Sequence, residues 1–351
     1  MFRSAIFSLF KVYKLNTKNI LRLIEDGNIK KILIIRLSSL GDVLLTTPLI
    51  RSLKKQFPEL IIHFVIKKNY INTLVNNPYL DRIFIYEKDK LAELKSNLAA
   101  NKYDLIIDLQ NNLRSFRLTS KLKTKKTFFN KQTISKFLLV KFKINKLKEA
   151  PPIPERYSES IPGFKLDNDG LDLFTKEQPP TEIIGRNNLI GFCPGSRHFT
   201  KMWLKEYYIE LGNILTEAGH QIVLFGGRSD MEICSELREK IPNSISLCND
   251  DDILQTAADM KLCRLVVCND SGLMHTACAV KTPVITFFGS TVREFGFAPY
   301  KNKNLILENK SLSCRPCSHI GRSSCPKDHF KCMLELKPGI VYKHIVDLLD
   351  S

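Results

Sequence analysis

The chain has 351 residues, 44% of them hydrophobic and 25% charged, with a formal net charge of +17. That length exceeds one ordinary core and suits two domains, the composition is globular, and no apolar run reaches membrane-spanning length. The positive balance calls for an anionic partner: nucleic acid, a membrane surface or a phosphorylated substrate.

Residues 1–28 are basic with interleaved Phe, Ile and Leu. Lys11 and Lys14 break the apolar run and no small-residue cleavage site follows, so the segment makes a poor signal peptide. It reads as an amphipathic helix, lying either on an anionic bilayer or on the protein's own body. Strands are predicted over "KKILIIRL" (30–37), "LIIHFVI" (60–66), "RIFIY" (82–86) and "YDLIIDL" (103–109). The turn "SSLGD", a helix over "VLLTTPLIRSLKKQF" and a helix over "KLAELKSNLAANK" lie between or beside them. Strands alternating with helices predict a parallel, doubly wound sheet. Residues 114–148 then hold twelve Lys or Arg and no acid. "EAPPIPERYSESIPGF" is Pro-rich and breaks the pattern.

The alternation restarts at "NLIGFCPG" (188–195). Helix "WLKEYYIELGNILTEAG", strand "HQIVLFGG", helix "DMEICSELREKI", strand "SISLC", helix "DILQTAADMKLC", strand "RLVVC" and a last strand "PVITFFG" follow. "KPGIVYKHIVDLLD" closes the chain as an amphipathic helix. The expected organisation is a segment 1–28, a first Rossmann-like domain 29–165, a linker 166–187, a second Rossmann-like domain 188–335 and a C-terminal helix 336–351. Two Rossmann-like halves place ligand at the carboxyl ends of their strands, in a central cleft.

Neither half carries Gly-x-Gly-x-x-Gly after its first strand, and there is no Walker A sequence. The strand-to-helix turns are instead rich in small and polar residues. In "RLSSLGDVLLTTP", Gly41 allows a tight turn and Asp42 stands at or near the helix start, facing the presumed cleft or serving only as an N-cap. In "CPGSRHFTKMW", Ser196 can donate, Lys201 adds charge and Trp203 offers a flat apolar face; the alternative is a surface loop. "GGRSDME" places Glu232 in a first turn, for a ribose hydroxyl or for the helix dipole. "NDSGLMHTACA" sets Asp270, Ser271 and Gly272 between a strand and a helix, either as a cap or as an anion site on free backbone N–H groups.

These turns resemble glycosyltransferase family nine, whose members include the ADP-heptose:lipopolysaccharide heptosyltransferases. "IIRLSSLGDVLLTTPLIRSLKKQFP", "DLQNNLRS", "PGSRHFTKMW" and "NDSGLMHTACAVKTPVITFFGST" carry the resemblance, in order, from about residue 30 to 335. Asn111 departs from it, standing where the family more often has Gly.

The resemblance implies a GT-B fold and an inverting, metal-independent transfer of heptose from ADP-heptose to the inner lipopolysaccharide core, with no cofactor. It implies Asp42 as general base, and a donor site of Ser196, Lys201, Glu232, Asp270, Ser271, Gly272, Leu273 and His275. His275 would touch phosphate or sugar, or only pack. The anionic acceptor would meet Arg114, Arg117 and Lys121 at the start of the basic segment, beside the inner face of the cytoplasmic membrane. Nucleic acid fits the charge, but no RNA-binding signature or aromatic platform accompanies it.

All ten cysteines follow residue 190, and six are scattered in apolar or helical contexts, as in a reducing cytoplasm. Cys314, Cys317, Cys325 and Cys332 are formally a four-thiolate pattern, read as structural zinc or as reduced thiols. "NDDD" (249–252) contains Asp-x-Asp, a metal motif elsewhere, and reads here as a helix cap. The competing functions are a family-nine transferase of another sugar to a surface glycan, and a non-catalytic nucleotide-sugar or nucleic-acid-binding module.

Overall fold

A computed structural model describes residues 19–350; the expected N-terminal amphipathic segment lies largely outside them. The chain divides into two compact units.

The first unit holds one parallel sheet of five strands in the order β3-β2-β1-β4-β5. These are β1 (Lys31–Ile35), β2 (Ile61–Lys67), β3 (Arg82–Tyr86), β4 (Leu105–Asp108) and β5 (Lys125–Phe128). β1 and β4 are buried apolar runs, as strands covered on both faces must be. The expected helix after "SSLGD" is two pieces, Leu40–Leu44 and Thr47–Gln56, the second opening with a proline in its first turn. β5 was not expected: "KKTF" is short and charged, which an edge strand tolerates.

The second unit holds six parallel strands in the order β11-β10-β9-β6-β7-β8. They are β6 (Leu189–Cys193), β7 (Gln221–Leu224), β8 (Ile245–Ser246), β9 (Leu265–Asn269), β10 (Val284–Phe287) and β11 (Asn304–Leu307). "PVITFFG" is therefore not the last strand; β11 extends the edge beyond it. Counted from β6, this is the dinucleotide-fold order, in which the chain reverses direction between the first and fourth strands. The two sheets, with their helices, make the chain an α/β protein of GT-B type.

Residues 132–153, expected with the first half, group with the second unit. Packing explains it. Leu139 and Leu147 bury with Phe295, and Ile153 donates its N–H to the Gly296 carbonyl at 3.0 Å. Residues 154–167 return to the first unit, where Arg51 Nε holds Asp167 at 2.8 Å.

Candidate functional site

In each sheet the ligand position of a doubly wound fold is the switch point, past the carboxyl ends of the two strands that diverge. In the first unit these are β1 and β4, and Asp42 lies just beyond β1. Its Oδ1 accepts from Arg36 Nη2 at 2.6 Å. Its Oδ2 accepts from the Ser39 Oγ at 2.6 Å and the Ser39 N–H at 3.1 Å. Burial pushes the carboxyl up, but the Arg36 charge and the Ser39 bonds outweigh it and hold Asp42 below the usual carboxylate range. The capping expectation is corrected: Ser39, not Asp42, is the N-cap of helix Leu40–Leu44, and Asp42 is its N3 residue, a half-buried carboxylate that accepts back from Ser39 in a capping box.

Arg36 was not singled out in the sequence. It is nearly buried, and it ties the two strand ends together by donating to the Leu109 carbonyl at 2.7 Å. Gln110, after β4, accepts the Leu37 N–H at 2.8 Å and so fixes the Asp42 loop from the other side. Asn111 has φ +42°, a left-handed conformation that Asn tolerates and Gly prefers. That accounts for its place in a position the family more often gives to Gly. Lys131 is half-buried near Arg36, Asp42 and Asp108; burial and then the Arg36 charge push its ammonium down, against the two carboxylates.

Arg114 and Arg117 are exposed on helix Leu113–Thr119, which follows β4, and Lys121 is exposed just after it. Arg114 lines an open cavity of about 370 Å³ with Lys67, Lys68 and Lys88 at the ends of β2 and β3, together with the carboxylates Glu87 and Asp89, and Lys68 Nζ lies 3.7 Å from Glu87. Those three lysines carry no local sequence signal. Arg117 and Lys121 do not line that cavity. Lys126 is turned inward, donating to the Thr119 carbonyl at 2.6 Å.

In the second unit the switch point lies between β6 and β9. Asn269, fully buried at the end of β9, donates to the Pro194 carbonyl at 2.8 Å and accepts the Trp203 N–H at 2.9 Å. One side chain thus locks the "PGSRHFTKMW" turn onto "NDSG". Lys201 Nζ lies 2.7 Å from Asp270 Oδ2, which also accepts from Thr291 Oγ1 at 2.7 Å. Asp270 therefore orients Lys201, and Thr291 is a partner the sequence did not reveal.

Helix Gly272–Ala279 begins at Ser271, whose side chain caps nothing, and the Ser271 Oγ is buried with no hydrogen-bond partner. The first turn's N–H groups have no intrahelical acceptor either. Ser196 is half-buried at the end of the β6 turn, Leu273 is half-buried in the helix's first turn, and His275 is buried one turn on. Glu232 stands apart, exposed in the first turn of helix Met231–Lys240 after β7.

Trp203 corrects an expectation. It is 1% exposed and stacks on Phe287 at 4.4 Å, so its flat face belongs to the core. "NDDD" is consumed locally. Asp250 pairs with Arg228, Asp251 accepts the Arg228 N–H at 3.0 Å, and Asp252 caps helix Ile253–Met260 through the Leu254 and Gln255 N–H groups.

Cys314, Cys317, Cys325 and Cys332 line one small cavity with His329, and all ten cysteines are free. Among the described residues no group of three or more His, Cys, Asp or Glu is disposed to hold a metal ion. Burial pushes the Cys332 thiol up to about 11.

Comparison with known proteins bears on the family and the fold. The sequence profile of glycosyltransferase family 9 (heptosyltransferase) matches residues 91–327. Lipooligosaccharide heptosyltransferase 2 of Campylobacter jejuni is 28% identical, over 89% of this chain and 96% of its own length. The Haemophilus influenzae protein of the same name is also 28% identical, over 91% and 99%. A family 9 glycosyl transferase from Veillonella parvula superposes with a TM-score of 0.73 at 25% identity, over 91% of this chain and 97% of that one. The ADP-heptose heptosyltransferase II of Escherichia coli gives 0.70 at 22% identity, over 91% and 98%, a likeness of fold. With two doubly wound units and a profile match over most of its length, the chain belongs to glycosyltransferase family 9.

Proposed function

We propose that the chain transfers heptose from ADP-heptose to the inner core of a lipopolysaccharide or lipooligosaccharide, with inversion and without a metal ion. The observation that carries this reading is the opening of helix 272–279. An uncapped N-terminus and an orphaned buried hydroxyl at Ser271 lie on the same switch point as Lys201, which suits a diphosphate. One Escherichia coli heptosyltransferase of this fold has been solved both with ADP and with ADP-2-deoxy-2-fluoro heptose, which supports the choice of donor. The names of the curated relatives support the acceptor.

In the proposed step an acceptor hydroxyl oxygen attacks the anomeric carbon of the donor. The bond from that carbon to the β-phosphate oxygen breaks, ADP leaves with the electron pair, and the hydroxyl proton passes to Asp42. Asp42 is a weak base, held ionised by Arg36. It suffices because the hydroxyl becomes acidic as its oxygen bonds to carbon, so the proton moves late. Negative charge grows on the departing diphosphate, where Lys201, Ser196 and the N–H groups at Ser271 and Gly272 stabilise it. Asp270 holds Lys201 in place, Glu232 takes a ribose hydroxyl, and Leu273 and His275 shape the donor pocket.

Arg114, Arg117 and Lys121, joined by Lys67, Lys68 and Lys88, receive the acidic groups of the acceptor. The work is done at the cytoplasmic face of the membrane. Incubation with ADP-heptose and a truncated core acceptor, followed by product mass, tests the reading. A product heavier by one heptosyl residue is expected. No gain with ADP-heptose, alongside gain with another nucleotide sugar, would reassign the donor.

A further inference from the structure

We propose that helix Thr133–Phe142 and the turn after it dock the protein on an anionic phospholipid surface. This deepens the reading above, whose acceptor is a lipid-anchored glycan, and rests on that reading only for its purpose. The helix has two faces. On the inner one, Leu139 packs with Phe295, Lys136 sits over the Phe297 ring, and Lys143 Nζ donates to the Cys314 and Pro316 carbonyls at 2.9 and 2.6 Å. These contacts fix the helix to the second unit.

The outer face is apolar and open. Ile134 is 72% exposed, Phe137 and Phe142 are each 58% exposed, and Ile144 is 50% exposed. The two Phe rings touch one another, with centroids 5.9 Å apart, and so present one aromatic surface. Four large apolar side chains bared within eleven residues make a patch that water disfavours.

Charge selects the occupant. Residues 131–148 contain six lysines and no acid. With Lys136 and Lys143 engaged inward, Lys141, Lys146 and Lys148 remain exposed around the patch. Apolar rings ringed by cations match the interface of an anionic bilayer, where rings enter the headgroup boundary and each lysine gains from the surface potential. A second copy of this chain would bring the same cations against themselves.

The test uses the full chain and vesicles of phosphatidylcholine with about 30% phosphatidylglycerol, a surface charge typical of cytoplasmic leaflets. Wild type should sediment with these and much less with phosphatidylcholine alone. A variant with both Phe137→Ser and Phe142→Ser should bind at least about tenfold more weakly, as expected for withdrawing two rings from an apolar phase. Its circular dichroism and its transfer to a lipid-free, water-soluble acceptor should match wild type.

Phe137→Trp supplies a direct signal, since the native Trp203 is buried. The emission of this variant should shift blue on adding anionic vesicles. Undiminished sedimentation of the double variant, or an unmoved emission of Phe137→Trp at saturating lipid, overturns the proposal. A blue shift that follows protein concentration without lipid overturns it in favour of a second copy. Loss of soluble-acceptor transfer in the double variant overturns it in favour of an acceptor subsite. Failure of the heptosyl reading would leave vesicle binding untouched, because that binding involves no sugar substrate.

Discussion

Asp42 keeps its charge in a place where burial alone would favour the neutral acid. Arg36 and Ser39 reverse that preference, which gives two expectations at the scale of single residues. In Arg36→Gln the guanidinium is gone while the burial remains, so the Asp42 carboxyl rises. The acid limb of the kcat/KM profile should then move to higher pH, and a profile identical to wild type would separate Arg36 from the base. Stability follows the same group. A depressed folded value contributes stability that is fully present above the unfolded carboxyl value, about pH 4, and is lost as pH falls through the folded value. Asp42→Asn should therefore flatten the fall of Tm with pH in that acid range and leave the shape of the curve at neutral pH unchanged. The sequence made Asp42 legible because Gly41 and the helix start mark its position. Arg36 was not legible, because an arginine ending a strand looks like any other until its carboxylate partner, six residues on, folds back against it. Thr291 escaped for a stronger reason: it reaches Asp270 from 21 residues away.

At the scale of elements, the strand ends explain what was readable and what was not. Central strands such as "KILII" and "LVVCN" each hold four consecutive apolar residues, so their positions and the turns after them could be read directly. The edges β5 and β11 are four residues each and half-exposed, and their apolar signal is correspondingly weak. The flat apolar face of Trp203 could be read from its residue type but not its destination, because only the stack on Phe287 places it in the core.

The helix at Ser271 and the turn at Lys201 act as one device. Lys201→Met should weaken ADP binding and lower turnover by about two to three orders of magnitude, as for loss of a stabiliser of developing charge. Loss of acceptor affinity alone would contradict its place on the donor. The acceptor side is separable. Neutralising Lys121, Lys123 and Lys125 together should raise the acceptor KM and leave donor affinity unchanged, an effect that shrinks with salt because exposed charges are screened over about 8 Å at physiological ionic strength. Lys126 is left out of that set because it serves the Thr119 carbonyl. A triple variant that loses ADP affinity would show the segment to be on the wrong substrate.

Across the whole molecule, the proposal assigns each unit one half of the chemistry: the first a carboxylate base and basic surfaces, the second an anion cradle. The halves were legible from their alternating strands and helices. Their boundary was less so, because residues 132–153 follow the first sheet in sequence and belong to the second unit through Phe295 and Gly296. The proposed metal independence is tested on the whole site. Transfer should continue in excess EDTA, and fast loss restored by magnesium or manganese would contradict it. Slow loss accompanied by unfolding would instead locate a metal among the four clustered cysteines.

The central claim is that Asp42 takes the acceptor proton while the second unit binds the donor without it. Its most direct test is a single-turnover measurement of heptosyl transfer by wild type and Asp42→Asn, made beside ADP-heptose titrations of both. The account predicts donor affinity close to wild type and a transfer step slower by about two to four orders of magnitude. A transfer step at the wild-type rate in Asp42→Asn would contradict it.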